Sequence, residues 1–405
     1  MVAQREPIII DTDPGIDDAL AIFMALLSPE VEVRAITLTH GNTSLEHVKR
    51  NAVTLMHVFA EHQKHLGIEV PIDSLPVLAA GCDRPLKADL ISATYFHGED
   101  GMGEVYSKNL HKAPSDWENQ LLHKAEEKVD NEYKDGERPA FKTTPRDAAD
   151  EILHQLREAP PLTISILAVG PLTNIALAYQ RDPVAFGRAK RIVIMGGAVD
   201  GPGNVTPMAE FNFRADADAA DIVMSSTQGF QHTPEGYQQR LDLISQNKPA
   251  PAHVVVVPLD ASDEGAVTKQ DYEKYIIPVD KKTPVATFCN AFLIWTFETC
   301  FRLYNLESLA IYDAFTLLTL IDMTADKGDG KNTETLDKHW SYKHLDMHVE
   351  TSGIYTTGMC VYDRRLWDET SFDNGVNNVQ VITKGDGRRF NQYILNRVFD
   401  ANIQL

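Results

Sequence analysis

The sequence predicts an α/β fold: an open, mostly parallel central sheet flanked by helices. Two observations carry this reading. Short runs rich in β-branched residues alternate with helical stretches along the chain. Those runs are apolar on both faces, as the central strands of a parallel sheet are when helices cover both sides. Size agrees, since 405 residues at 43% hydrophobic build a sizeable core without disulfides or a structural metal. We read residues 1–405 as one domain with surface insertions.

Each element has its own signal. Residues 7–10 form a short apolar run that closes on Asp11, and Pro14-Gly15 breaks it. Residues 19–27, Ala-Leu-Ala-Ile-Phe-Met-Ala-Leu-Leu, read as a buried helix. A strand over 31–38 ends in Thr39-His40-Gly41-Asn42, and a helix over 45–62 places Val48, Ala52, Leu55 and Val58 at helical spacing. Further strands are expected at 77–80, 162–169, 192–195 and 254–259. Three segments interrupt the rhythm: 108–144, dense in charge; 226–251, polar with one helix after Pro234; and 326–344, loop-like around Lys327-Gly-Asp-Gly-Lys331. Strand-like runs resume after each, so these are read as surface insertions. The aromatic residues between Phe288 and Tyr304 fit a helix with a core face, which could also lie over a ligand pocket.

Charge narrows the partners. Lys and Arg total 38 against 58 Asp and Glu, a formal charge of −20. Such a surface repels phosphate backbones and anionic headgroups, so neither nucleic acid nor membrane is expected as a partner. No stretch approaches the roughly 18 apolar residues of a membrane span. The first seven residues carry no apolar signal region, and Cys82, Cys289, Cys300 and Cys360 form no CxxC, so a cytoplasmic chain with reduced thiols is expected.

The chemistry concentrates in Ile8-Ile-Ile-Asp11-Thr-Asp13-Pro-Gly-Ile-Asp17-Asp18-Ala. These carboxylates sit where a strand ends and a helix starts, the edge at which open α/β sheets bind ligands. Packed carboxylates repel one another unless a cation compensates them, and oxygen donors select Ca²⁺ or Mg²⁺. Helix capping accounts for one or two aspartates but not for this many. An EF-hand fails, because counting from Asp11 the fifth, sixth and twelfth positions are Gly15, Ile16 and Ile22. A haloacid-dehalogenase-like phosphatase also has a strand ending in Asp-x-Asp. Its motif wants Thr or Val where Gly15 stands, and it leaves Asp17 and Asp18 without a purpose. No GxSxG, HExxH or GxxxxGK[ST] is present, and Lys384-Gly-Asp-Gly-Arg-Arg389 reads as a solvated turn.

Further motifs follow in order: Val169-Gly-Pro-Leu-Thr-Asn174, Met195-Gly-Gly197, Asn204-Val-Thr-Pro-Met-Ala-Glu210-Phe211-Asn212, Tyr312-Asp313 and Val349-Glu-Thr-Ser-Gly353. With the N-terminal cluster they resemble the nucleoside hydrolase family, inosine-uridine-preferring type, from residue 8 to about 381 apart from the insertions. The resemblance implies hydrolysis of the N-glycosidic bond of a ribonucleoside by a Ca²⁺-bound water. By motif position Asp13 matches the metal-bound general base, Asp18 and Asp313 match carboxylate ligands of Ca²⁺, and Val169 matches a ligand through its backbone carbonyl. Asp11 is expected to brace the cluster from behind, and Asn174 to pack or cap. Asp17, Asn42, Asn204, Glu210 and Asn212 match positions that hydrogen-bond the sugar hydroxyls, and Phe211 is expected to wall the 5′ side. Asn42 after Gly41 could also be a simple turn residue. A homodimer or homotetramer is implied.

The base side departs from the commonest pattern. Many members carry His before the last metal aspartate, a candidate proton donor to the leaving base; here Tyr312 stands there. The purine-specific branch places an aromatic at that position to stack on the base, so purine nucleosides are favoured over a pyrimidine-preferring or broad specificity. His97, in Phe96-His97-Gly98-Glu99-Asp100-Gly101, resembles the mobile loop of the broader branch, where a histidine reaches the ligand and glycines hinge a flap. Two rivals remain open from the sequence: a Mg²⁺-dependent phosphohydrolase with an aspartyl nucleophile, and a nucleoside-binding protein without turnover.

Overall fold

A computed structural model describes residues 5–121, 138–325, 336, 339–364 and 376–403. Its first strand, β1 (Glu6–Thr12), feeds helix α1 (Ile16–Leu27), strand β2 (Val31–Leu38) and helix α2 (Leu45–His65). Strands β3 (Val77–Ala80), β4 (Lys142–Thr143), β5 (Ser165–Ala168), β6 (Ile192–Met195) and β7 (Val254–Val257) follow. After them come β8 (Ala266–Thr268), β9 (Ser308–Ala310), β10 (Ser341–Leu345), β11 (His348–Val349), β12 (Cys360–Val361) and β13 (Val379–Lys384).

The main sheet runs β10-β13-β7-β6-β5-β1-β2-β3-β4, parallel throughout except for β10 against β13. From β1 the chain moves outward to β2, β3 and β4, then returns to β5 on the other side of β1. That reversal opens a crevice at the C-terminal ends of β1 and β5, between Thr12 and Val169.

Alternation along the strands splits the core in two. Ile8, Ile10, Leu167, Val193 and Val255 point into one apolar layer, which holds α1, α2 and the helices Pro284–Tyr304, Tyr312–Ala325 and Gly387–Phe399. Ile9, Ile166, Ile192 and Val254 point into the other, against Ala148–Glu158, Thr173–Arg181 and Ala217–Ser225. This two-sided burial is why those strands read as unbroken apolar runs.

Several element ends differ from expectation for local reasons. Helix α1 starts three residues before its apolar run, because the Asp18 carboxylate accepts the N–H of Gly15 at 3.0 Å and closes the first turn. β5 starts at Ser165 because Leu162 is left-handed (φ 56°) in the preceding turn. The 226–251 segment holds the helix Pro234–Ser245, whose buried Arg240 donates to the carbonyls of Gly187, Ala189 and Lys190. Of 108–144, residues 142–143 form edge strand β4, and 122–137 lie outside the described residues. Of 326–344, residues 341–344 belong to β10, while 326–335 and 337–338 lie outside. Among the described residues no helix is long and apolar enough to cross a membrane, and the four cysteines are free thiols, all but Cys82 buried.

Candidate active site

The acidic stretch turns from β1 into α1, so its carboxylates take different depths. Asp11, still in the sheet, is fully buried; its Oδ1 accepts from Thr37 Oγ1 at 2.6 Å and from Asn174 Nδ2 at 2.9 Å. Asn174 also donates to the Leu38 carbonyl and accepts from the Cys82 N–H, so it fastens β1 to the ends of β2 and β3. Burial pushes the Asp11 carboxyl up to about 7.

Asp13 and Asp18 are buried at the sheet edge. The Asn42 N–H donates to Asp13 Oδ2 at 2.6 Å, while Oδ1 has no hydrogen-bond partner among the described residues. Asp18 is held from four directions: by the Thr12 hydroxyl, the N–H groups of Asp13 (3.2 Å) and Gly15 (3.0 Å), and the Asn42 amide (2.9 Å). Glycine flanks Asp13 on both sides. A Cβ at Gly41 would meet Asp13 Oδ2 at 1.9 Å, and one at Gly170 would meet Oδ1 at 2.6 Å.

Asp313 enters from the start of the Tyr312–Ala325 helix. Asp17, Asp18 and Asp313 each present a carboxylate oxygen, and the three lie within 4.8 Å of one another. Burial first, and then mutual repulsion, raises Asp13 and Asp313 well above the carboxylate range and Asp17 to about 8. An oxygen-only cluster, buried but for half-buried Asp17, beside an Asp13 Oδ1 without a partner among the described residues fits a hard divalent cation, which would let these groups ionise together. The expected donor set of Asp13, Asp18, Asp313 and the Val169 carbonyl overlaps this trio, which substitutes Asp17 for Asp13.

One cavity of about 380 Å³ opens beside the cluster, lined by Asp17, Asn42, Val169 and Asp313. Asn204, Glu210, Phe211 and Asn212 line it too, as do His97 and Tyr312; Asp13 and Asp18 are not among the lining residues. Glu210 caps the short helix Phe211–Ala215: Oε1 accepts from the Asn212 N–H at 2.7 Å, and Oε2 from Gly197 and Phe213 at 2.9 and 3.0 Å. Asn204 Oδ1 accepts from the Phe211 N–H at 3.0 Å. The Asn212 amide donates to the carbonyls of Val169 (2.9 Å) and Met195 (3.2 Å), bridging the ends of β5 and β6.

His97 Nδ1 accepts the N–H of Ile16 at 3.1 Å, and burial pushes the ring down to about 3. The ring is therefore neutral, with its proton on Nε2. The loop that carries it is tied at several points. Glu99 O accepts from Thr43 Oγ1 at 2.9 Å and lies 2.8 Å from His47 Nδ1; Phe96 O accepts from Trp295 Nε1 at 3.2 Å. Asn51 Nδ2 bridges Asp100 O and Pro14 O, each at 2.9 Å. The glycines expected as hinges, Gly98, Gly101 and Gly103, are left-handed, with φ of 78°, 76° and 63°.

Tyr312 donates its hydroxyl hydrogen to Asp263 Oδ1 at 3.0 Å, and burial raises its phenol. Tyr95, Phe96, Cys300 and Tyr304 also line the cavity, though nothing in the sequence reading singled them out as contacts. For Cys300 and Tyr304 the signal was the aromatic helix Pro284–Tyr304, which serves both purposes left open for it. Phe288, Phe292 and Phe297 are core, and its last turn reaches the cavity through Cys300 and Tyr304.

The family model for the inosine-uridine preferring nucleoside hydrolases matches residues 8–392. The inosine-uridine preferring nucleoside hydrolase of Leishmania major is 31% identical over 362 residues, covering 88% of each chain. A probable uridine nucleosidase of Oryza sativa subsp. japonica is 36% identical over 223 residues, covering 55% of this chain; the match spans about half of that relative, 56%. Two solved structures share the fold. A plant nucleoside hydrolase aligns with a TM-score of 0.71 at 24% identity, covering 98% of this chain and 99% of that one. A purine-preferring ribonucleoside hydrolase from Gardnerella vaginalis aligns at 0.69 and 22%, with the same coverage.

Proposed function

The chain belongs to the inosine-uridine preferring nucleoside hydrolase family, and from that premise we propose that it hydrolyses the N-glycosidic bond of ribonucleosides to ribose and free base. The observation that carries this is Asp13: one oxygen held by the Asn42 N–H, the other buried and without a partner among the described residues, beside an oxygen cluster and a cavity that joins apolar walls to carboxylate and amide groups.

Asp13 Oδ1 takes the proton of the attacking water, whose oxygen bonds to the anomeric carbon as the bond from that carbon to the base nitrogen breaks. The bonding pair leaves with the base. Developing positive charge on the sugar is met by the carboxylates of Asp17 and Glu210. Asp13, Asp18, Asp313 and the Val169 carbonyl would hold Ca²⁺, which when bound acts as a Lewis acid and makes a coordinated water more acidic. Asp17, Asn42, Asn204, Glu210 and Asn212 pair with the ribose hydroxyls. An unpaired group there costs about 1–3 kcal/mol, so deoxynucleosides are disfavoured. Phe211 packs along the 5′ side, and Asp11 braces the cluster from within the sheet.

On the base side Tyr312 offers its ring face rather than a proton, because its hydroxyl hydrogen is directed at Asp263. Together with Phe96 and Tyr304 this favours purine nucleosides. A uridine preference is the second reading, favoured by similar proteins named uridine nucleosidases in Oryza sativa and Arabidopsis thaliana. A homodimer or homotetramer is proposed from the family.

The test is reducing-sugar release from inosine, adenosine, guanosine, uridine and cytidine, with chelator and then with Ca²⁺ restored. Release that stops and returns, fastest on purines, is expected. Faster release from uridine favours the second reading. No release from any of the five, with nucleoside still bound, overturns the hydrolase reading.

A further inference from the structure

We propose that His40 is a positioning residue for Asp13, acting through the loop that presents Asn42. The inference rests on the reaction proposed above and adds a residue outside the cavity to it. His40 is fully buried where β2 ends, two residues before Asn42, and does not line the cavity. Its Nε2 lies 3.1 Å from Thr173 Oγ1, at the start of the Thr173–Arg181 helix. Thr173 has one hydroxyl hydrogen, and it goes to Asp216 Oδ2 at 2.7 Å, a carboxylate oxygen that also accepts the Leu86 N–H at 2.9 Å. The threonine oxygen must therefore accept from His40, which places the imidazole proton on Nε2. Nδ1 is left bare, with no partner among the described residues. Burial pushes the ring down to about 4, so this neutral tautomer is the one present near neutrality.

The chain His40–Thr173–Asp216 pins the loop after β2 by a side chain one residue before Gly41, whose own N–H is weakly held. Thr39 N donates to Thr12 O at 3.0 Å and His40 N to Cys82 O at 2.9 Å, but Gly41 N makes only a 3.4 Å contact with Thr43 O. The next N–H is the one on Asp13 Oδ2 at 2.6 Å, and the amide of the same Asn42 holds Asp18 at 2.9 Å. A shift of this loop moves both aspartates. Gly41 leaves no room to absorb it, since even a Cβ would meet Asp13 Oδ2.

The experiment compares His40→Leu, His40→Gln, Thr173→Val and the Leu/Val double variant, on full-length protein. Two readouts are taken: steady-state kinetics on the best nucleoside, and Ca²⁺ binding by calorimetry without substrate. His40→Leu is expected to lower kcat about 10- to 100-fold, the scale of an ångström-sized misplacement, with KM changed less than about 3-fold. It should weaken Ca²⁺ binding about 10-fold, the lower end of what a lost outer partner costs, through the disturbed hold on both aspartates. His40→Gln keeps an N–H within reach of Thr173 and should recover most of both losses. The double variant should be no worse than His40→Leu, because the two residues act in one chain. If His40→Leu does not fold, Thr173→Val carries the same expectation alone. Unchanged kcat and Ca²⁺ affinity with a lowered melting temperature, or failure of the glutamine to rescue, overturns the proposal. Wild-type protein that binds Ca²⁺ but releases no sugar overturns the hydrolase reading instead, and His40 is then judged on the calorimetry.

Discussion

The hydroxyl of Tyr312 donates to Oδ1 of Asp263 across 3.0 Å, and this bond separates two roles an aromatic beside Asp313 could play. A phenol whose hydrogen is committed to a carboxylate, and whose acidity burial lowers further, is a poor proton donor to a leaving base. Its ring lines the cavity, where it can stack.

Tyr312→Phe, which keeps the ring, should therefore retain purine nucleoside turnover within about 3-fold. Tyr312→Ala should lose roughly 10- to 100-fold on inosine, the range expected when stacking worth about 1–3 kcal/mol is removed. Hydrolysis of a nitrophenyl riboside, whose leaving group needs no help, should fall much less. Equal losses on both substrates would remove the stacking argument.

Asp13→Asn should abolish measurable turnover while leaving the fold intact. Because repulsion and burial both oppose the ionised form of Asp13, the cation-free variant should melt at a higher temperature than cation-free wild type. Near wild-type sugar release by this variant would sink the assigned role.

Metal removal should depend on pH in a defined direction. Burial pushes Asp11 and Asp17 up to about 7 and 8 from the ordinary 3.8. Raised values mean stability that is present below about pH 4 and lost as pH rises through the folded values, unless a cation compensates the charge. His40 and His97, down at about 4 and 3 from 6.5, act oppositely: their contribution is present above 6.5 and lost as pH falls through those lower values. Chelation should therefore lower the melting temperature far more at pH 8.5 than at pH 5.5. Melts with and without Ca²⁺ across that range check it; a chelator effect larger in acid would contradict the cluster's assignment.

Asn51→Ala removes the amide that joins Pro14 O to Asp100 O. Two buried carbonyls lose their donor, at a cost of about 1–3 kcal/mol each. Hydrogen exchange over residues 94–106 should quicken and KM should rise more than kcat falls. Unchanged exchange in that loop would mean that the other ties suffice.

Much of this was legible in the sequence because it was local. Alternation and two-sided burial betray β1, β5, β6 and β7, and aspartates crowded at one strand end have few uses besides a cation. Other features were hidden by how they arise. The first turn of α1 reads as polar because the acidic residues that cap it mask the helix from an apolar count. β10 lacks a β-branched run, being an edge strand with half-exposed side chains. Tyr312 and Asp263 lie 49 residues apart, Asn174 and Asp11 163 apart, and no spacing rule joins them before the sheet is assembled. Asn174 reads as a packing or capping residue, and the fold makes it a tie between strands.

Glycine on both sides of Asp13 has an implication for how this protein tolerates change. Gly41 and Gly170 do not line the cavity, yet any side chain at either would collide with an oxygen of Asp13. A saturation library read out by turnover would thus rank these two blank positions with the aspartates themselves. Its viable diversity would instead gather at Tyr95 and Tyr304, both about half exposed, where new substrates could be accommodated without disturbing the carboxylates.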